Sequence, residues 1–412
     1  MKLETELAPI VVPGFRFAGV KCGIKESGKR DVAVIFSEVP AAAAAQFTSN
    51  RVKAAPVRLG IEKMKAGRLQ AVVVNSGNAN AYTGANGLKM AREMCAIVAR
   101  ELEIDARLVI PSSTGRIGVQ LPAESIRRGV KQACSELSGD GFHQALEGIM
   151  TTDAFPKFGQ ETLMVGGVEV TIAGMAKGAG MIAPKMSPDG EPPAPHATLL
   201  AYILTDAAVV PAALQKVLAV AQPQSFNAVV VDGDTSTNDT VVLMANGVAG
   251  NRPLTTGSKD FAAFRDAVSR LMARLARMVV KDGEGATKVV DIQVEGARNR
   301  AEAERVADAI ARSPLCKTAF FGGDPYSGRI VCAAGYSGAV FDPDRLDVWF
   351  DRVQVVRRGV EVVGRVEAKA AAVVARPEFV LRIDLHAGKA TARRLASDLT
   401  ADYVHFNSAY RT

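Results

Sequence analysis

Asp232, Asp234, Asn238 and Asp239 fall within one short stretch, DGDTSTND at 232–239, and raise the question of a metal. An EF-hand does not fit, because its sixth and twelfth positions would be Thr237 and Leu243. A turn lining an active site accounts better for the stretch, and no required metal is expected. Zinc has little to build on either, with four histidines and five cysteines that form no CxxC pair. Those cysteines (Cys22, Cys95, Cys134, Cys316, Cys332) read as buried, inert thiols in a reducing compartment. NSGNANAYTGANG at 75–87 is glycine-rich like a phosphate cradle, yet lacks the Lys-Ser/Thr of a P-loop and the GxGxxG spacing. It reads as local turns near a site. AKGAGMIAP at 176–184 follows a strand at 168–174. Its glycines allow close approach of backbone to a ligand, and Lys177 supplies a positive charge. Ser112-Ser113-Thr114-Gly115 forms a hydroxyl-rich turn after a strand at 108–110.

Thr198 stands where the texture of the chain changes. Before it, Pro184, Pro188, Pro192, Pro193 and Pro195 surround Asp189-Gly190. Proline lacks the amide hydrogen of a ladder and fixes φ, so this predicts an irregular loop. After it, LLAYIL at 199–204 reads as a buried strand. Alone, a threonine there is a β-propensity residue.

The elements around these groups alternate. Residues 31–36, 69–75 and 227–231 are short β-branched runs closed by turn residues, as in buried strands. Residues 379–385 place Phe379, Leu381, Ile383 and Leu385 on one face. Helical period links Leu88, Ala91, Cys95, Val98 and Leu102, then Ile126, Val130, Cys134 and Leu137, then Phe261 through Met278. Each stripe is one-sided, so each helix packs on something. The alanine run at 41–45 reads as a helix start or a connection. Mixed strands and one-sided helices predict sheets covered by helices. A chain of 412 residues favours two or three units.

An apolar fraction of 48% with 23% charged residues fits an ordinary globular protein, and no apolar run is long enough for a membrane span. Glu4 and Glu6 speak against a secretory or transit segment, which points to the cytoplasm. The net charge of +7 suits anionic small molecules; the basic clusters are short and lack interleaved aromatics, which speaks against nucleic acid.

AKGAGMIAP followed by HATLLAYILTDA at 196–207 resembles the self-processing region of the glutamate N-acetyltransferase family, also called ornithine acetyltransferase, of arginine biosynthesis. The likeness runs over essentially the whole chain: NSGNAN at 75–80, PSSTGRIG at 111–118, TTD at 151–153, DGDTSTND at 232–239, KDGEGATK at 281–288 and NSAYRT at 407–412 occur in family order. It implies an α/β (α+β) fold, helices flanking two packed β-sheets (an αββα sandwich), with a smaller C-terminal α/β lobe from about residue 285 to 412. It also implies cleavage between Ala197 and Thr198, giving an alpha chain of 1–197 and a beta chain of 198–412. The new N-terminal Thr198 would carry a hydroxyl nucleophile and an amine base on one residue. The family proline is usually followed closely by Asn-Met-Ala-Thr; here residues 187–196 lengthen the loop before the bond. Loop-closure cost rises slowly with length, so cleavage geometry can survive.

The resemblance places an oxyanion hole at Thr114 and Gly115. It nominates Thr151, Lys177, Thr198, Glu284, Asn407 and Thr412 for substrate binding. The implied reaction is ping-pong transfer of acetyl from N2-acetyl-L-ornithine to L-glutamate, without a cofactor; some members of the family also take acetyl from acetyl-CoA, and no residue here decides that. Association of the two chains, as two alpha and two beta, is a family expectation. The rival reading is an N-terminal-nucleophile aminopeptidase or amidohydrolase of related architecture, which would pass the acyl group to water.

Overall fold

In a computed structural model of the chain, residues 9–189, 199–234 and 236–409 are described. The N-terminal part contains β1 (Phe15–Val20), β2 (Val32–Thr48), α1 (Ala55–Met64), β3 (Arg68–Asn78), α2 (Gly84–Glu101), β4 (Val109–Arg116), α3 (Ala123–Ser135), α4 (Phe142–Ile149), β5 (Lys157–Val165), β6 (Val168–Lys177) and β7 (Met186–Ser187). It continues with β8 (Leu200–Thr205), α5 (Pro211–Ala221), β9 (Val229–Val230), β10 (Thr240–Ala245) and α6 (Phe261–Lys281). The C-terminal part contains β11 (Val289–Ala297), α7 (Arg300–Arg312), α8 (Pro314–Gly322), α9 (Ser327–Gly335), β12 (Asp347–Phe350), β13 (Val353–Arg357), β14 (Val360–Glu361), α10 (Val366–Val374), β15 (Glu378–Asp384), β16 (Ala390–Ser397) and α11 (Ala401–Ala409).

The long strand β2 organises the first sheet. Its residues 32–37 pair with β1 and residues 32–36 with β3, whereas residues 42–47 pair with β10. The register shifts between Phe36 and Ala41, the kind of irregularity that bends a strand and increases its twist. The hydrogen-bonded order is β4-β3-β2-β10-β8-β6-β5. The two halves close on each other. Ile35, Val72 and Val74 from one half share a core with Met175, Tyr202 and Val242 from the other. On the outer face of the first half, Val34, Val73 and Val109 pack with Met94 and Val98 of α2 and Val130 of α3. On the outer face of the second, Ile172, Ile203 and Leu243 pack with Leu214 of α5 and Leu271 and Leu275 of α6. The result is the expected αββα sandwich, its two sheet layers joined through one shared strand.

The alanine run at 41–45 lies inside β2, not in a helix. Ala41, Ala43 and Ala45 face the inner core while Ala44 faces the α5–α6 side. A strand covered on both faces has little room for side-chain volume, and this burial overrides the weak β-propensity of alanine. The strand expected at 227–231 is shorter, a 3-10 turn at Phe226–Ala228 followed by β9.

The second sheet runs β14-β13-β12-β15-β11-β16-β9. Val290, Ile292, Leu381 and Ile383 on one face pack against Val306 and Ile310 of α7 and Ile330 of α9. It borrows β9 from before α6, and thereby ties the lobe to the sandwich. Among the described residues no helix is long and apolar enough to cross a membrane.

Candidate active site

Lys177 is the last residue of β6, and its ladder partner is Leu200, the first of β8. Leu199, just before β8 and one peptide bond from Thr198, is fully buried and held at both ends. Its N–H donates to the Asp239 carboxylate, and its carbonyl accepts from Thr240 N–H at 2.9 Å. The Asn238 amide donates to the carbonyls of Ala79 at 2.6 Å and Ser113 at 2.8 Å. DGDTSTND is therefore a clasp that ties the start of β8 to the ends of β3 and β4. Its first residue, Asp232, accepts from Met181 N–H at 2.6 Å and Ile182 N–H at 2.8 Å. It thereby holds a non-glycine turn in which Met181 has φ +56°. Among the described residues no group of three or more His, Cys, Asp or Glu side chains is placed to hold a metal.

PSSTG is strand rather than the expected turn: β4 continues through it in parallel register with NSGN of β3, Ser76 opposite Thr114 and Gly77 opposite Gly115. Here two strands meet edge to edge with almost no side-chain volume between them. Gly115 has φ +123°, and a Cβ there would lie 2.4 Å from the Gly77 carbonyl carbon and 2.6 Å from Asn78 N. Only glycine fits. The Lys177 Nζ donates to Thr114 Oγ1 at 3.2 Å, which leaves the hydroxyl hydrogen of Thr114 to point elsewhere.

Behind Lys177 lies a buried chain of charges. Lys157 Nζ donates to Asp153 at 2.6 Å and also to Asp282, and all three side chains are essentially inaccessible. Asp153 further accepts from Gly178 N–H at 2.7 Å and Thr151 N–H at 2.8 Å, and stands 4.0 Å from Lys177 Nζ. Burial opposes the ionisation of Asp153, but Lys177 and Lys157 hold its carboxyl well below the usual range. Burial pushes the Lys177 ammonium below its ordinary value, against the pull of Asp153.

Glu284 lines the same cavity as Lys177. Thr152 Oγ1 donates to one of its oxygens at 2.7 Å, and Asn407 Nδ2 to the other at 3.2 Å. Its N–H donates to Ala179 carbonyl at 2.9 Å. A Cβ on Gly180 would fall 2.3–2.5 Å from the Glu284 carboxylate, so the glycine of AKGAG clears the space that this side chain occupies. Thr114, Gly115, Thr151, Lys177 and Glu284 all line one cavity of about 790 Å³, and Asn407 reaches it through Glu284. Ala197, Thr198 and Thr412 lie outside the described residues.

Several lining residues carried no signal in the sequence. Lys25 enters on the loop at 23–27, which has no motif character. The loop is built on Asp31, whose buried carboxylate accepts from the N–H groups of Cys22, Gly23, Ile24 and Lys25 at 2.7–3.2 Å. Thr152, Asp153 and Asp282 sit inside TTD and KDGEGATK, so motif order could flag them, but the contacts of Lys157 with Asp282 and of Thr152 with Glu284 each join segments more than a hundred residues apart. The cysteines depart from expectation at one place. Cys22, Cys95, Cys134 and Cys316 are buried, and burial pushes Cys22 and Cys134 up to about 12, but Cys332 is exposed.

The four-layer αββα fold thus carries a polar cavity with both Lys177 and Glu284 on its wall, next to the clamped start of β8 through the Lys177–Leu200 ladder pair. The chain belongs to the ArgJ family, whose model matches residues 16–412. The arginine biosynthesis bifunctional protein ArgJ of Geobacter sulfurreducens is 49% identical over 401 residues, covering 97% of this chain and 100% of that one. The protein of the same name from Symbiobacterium thermophilum is 47% identical, with 97% of each chain covered. The crystal structure of arginine biosynthesis bifunctional protein ArgJ from Bacillus halodurans is 38% identical with a TM-score of 0.49, covering 51% of this chain and 98% of that chain. The motif resemblance to an acetyltransferase of arginine biosynthesis is borne out at this level.

Proposed function

We propose that the chain cuts itself before Thr198 and then moves acetyl from N2-acetyl-L-ornithine to L-glutamate through an acetyl-Thr198 ester. The observation that carries the reading is the gathering of Thr114, Gly115, Lys177 and Glu284 around one cavity, with Lys177 paired to Leu200 beside the clamped Leu199. In the first stage the Thr198 hydroxyl oxygen attacks the Ala197 carbonyl carbon. The C–N bond breaks as the ester forms, the nitrogen takes the proton, and water hydrolyses the ester to leave 1–197 and 198–412.

In the second stage the freed α-amine, with a reference pKa of about 7.7–8.0, takes the proton of its own hydroxyl. The oxygen attacks the acetyl carbon of N-acetylornithine. The oxyanion is met by Thr114 and Gly115, donors of a kind worth roughly 2.7–4 kcal/mol each. Lys177, donating to Thr114 Oγ1, fixes the hydroxyl so that its hydrogen serves the oxyanion. The C–N bond breaks and ornithine leaves with the proton. Glutamate then attacks the ester with its neutral amine, regenerating the Thr198 hydroxyl and releasing N-acetylglutamate. Thr151, Lys177, Glu284, Asn407 and Thr412 bind the two amino acids. The chemistry needs no cofactor, since nucleophile, base and donors are all on the chain. The word bifunctional in the names of the relatives supports acetyl-CoA as a second acetyl donor to the same threonine. The two chains remain together, and two such pairs form the assembly.

Denaturing electrophoresis with intact mass of the purified protein tests the first stage: two fragments joining at Ala197/Thr198 are expected, and Thr198→Ala should give one full-length chain without turnover. An uncut wild-type chain that turns over would refute the threonine reading. Acetate release that ignores glutamate would replace the transferase with a hydrolase.

A further inference from the structure

We infer that Lys25 is the residue that selects the acceptor, binding the side-chain carboxylate of glutamate where Glu284 binds the side-chain ammonium of ornithine; this rests on the transfer reaction proposed above. The two substrates share an α-amino acid head and differ in the charge at the far end. One cavity that must hold them in turn needs a fixed group of each sign. Glu284 is the negative one, oriented by Thr152 and Asn407. Lys177 cannot be the positive one for glutamate alone, because it is buried and already committed to Thr114 and Asp153, which both half-reactions use.

Two other cations line the cavity: Arg116 is exposed at the end of β4, whereas Lys25 is half-buried on a pre-formed loop and meets the need. It lines the same cavity as Glu284, and its stem lies across the end of β3, where a Cβ on Gly77 would come 3.0 Å from Lys25 Cγ. Gly77 is the ladder partner of Gly115, so the stem of Lys25 lies one strand away from the proposed oxyanion donors. Its loop is pre-formed by the four amide bonds to Asp31. Its Nζ donates to the Arg30 carbonyl at 2.5 Å, which steadies the head while an ammonium has three donors to offer. Beyond it opens a second cavity of about 430 Å³ that shares Lys25, Ser27 and Thr151 with the first; its wall carries Lys21, Lys29 and Arg30 against Asp153 and Glu147, the latter paired with Arg30 at 2.9 Å, and so keeps an excess of positive charge. That charge draws an anionic acceptor toward Lys25.

The groups that act on the Lys25 ammonium are Asp31, Asp153, Lys177 and Lys29; burial, the largest influence, lowers it to about 8. Lys25→Met and Lys25→Arg test the assignment with N-acetylornithine as donor and with glutamate or glutamine as acceptor. Formation of the acetylated 198–412 chain, followed by mass without acceptor, should be unchanged in Lys25→Met. The KM for glutamate should rise on the order of 10- to 100-fold, as for loss of a charged hydrogen bond, while the KM for glutamine stays put. Lys25→Arg should recover most of the preference. If Lys25→Met does not fold, the wild type alone decides. Its preference for glutamate over glutamine should fall as pH rises through about 8, and a ratio flat across that range overturns the assignment, since Lys177 and the Thr198 amine act on both acceptors alike. Normal acetyl-enzyme with an unchanged glutamate preference in Lys25→Met overturns the role of Lys25 alone. A wild type that forms no acetyl-enzyme from N-acetylornithine overturns the transfer reading and this inference with it.

Discussion

Gly115→Ala offers a sharp test of how the end of β4 serves the chemistry. The added methyl would meet backbone, not a mobile side chain: the Gly77 carbonyl carbon at 2.4 Å, Asn78 N at 2.6 Å and Gly77 Cα at 2.7 Å. Those contacts cannot be relieved by a rotamer, so β3 and β4 must part or residue 115 must leave φ +123°. Either response moves the 115 N–H and the Thr114 hydroxyl away from the place where the proposed mechanism puts the oxyanion. Loss of one such donor costs about 2.7–4 kcal/mol, so kcat should fall on the order of 10²- to 10³-fold with a much smaller change in KM. Strain at the site adds roughly 1–3 kcal/mol to the loss of stability. Gly166→Ala is the control. It also has positive φ, +60°, but a Cβ there meets nothing within 4 Å, so it should lose about 1–2 kcal/mol of stability from backbone alone and keep kcat. Steady-state kinetics and denaturant unfolding read both numbers. If Gly115→Ala keeps kcat within threefold of wild type while its stability falls no more than that of Gly166→Ala, the close approach of the two strands has no part in catalysis.

Two further outcomes follow from the buried charges and from Gly180. Asp153→Asn should destabilise the fold by about 3–5 kcal/mol at neutral pH, because it strips a partner from buried Lys157. Asp153 is depressed in the folded state, so its contribution is full above the unfolded value of about 3.9 and is lost as pH falls below it. The urea midpoints of wild type and variant should therefore converge on acidification, and a constant gap would contradict the ion pairing. Gly180→Ala pushes the Glu284 carboxylate off Thr152 and Asn407. The KM for N-acetylornithine should rise about tenfold while that for glutamate changes little, as measured in initial-rate assays over both substrates.

The parts of the fold that the sequence disclosed are those whose periodicity and burial agree. The stripe from Leu88 to Leu102 became α2, and that from Phe261 to Met278 became α6, because one-sided helices have one face to hide. The alanines of β2 misled because their volume, not their propensity, suits a strand pressed between two layers. Ser112-Ser113-Thr114-Gly115 reads as a turn because hydroxyls and glycine favour turns; its extended course depends on NSGN lying beside it, a pairing of distant segments. Family order nominates Thr114, Lys177, Glu284 and Asn407, each inside one of the family motifs. It missed Lys25, whose place in the cavity depends on Asp31 gathering four amides from a loop of unremarkable composition.

The strand order β2-β10-β8-β6 has a consequence for the life history of the molecule. Both central strands, β8 and β10, come from after residue 198, while their outer neighbours β2 and β6 come from before it. A cut before Thr198 leaves every ladder in place, so the native state scarcely registers it. The unfolded state changes entirely: one chain becomes two, and neither can rebuild the sheet alone. Refolding then turns from a first-order event into an encounter that depends on concentration. Maturation of this kind makes folding a one-time opportunity, taken while the halves are still tethered.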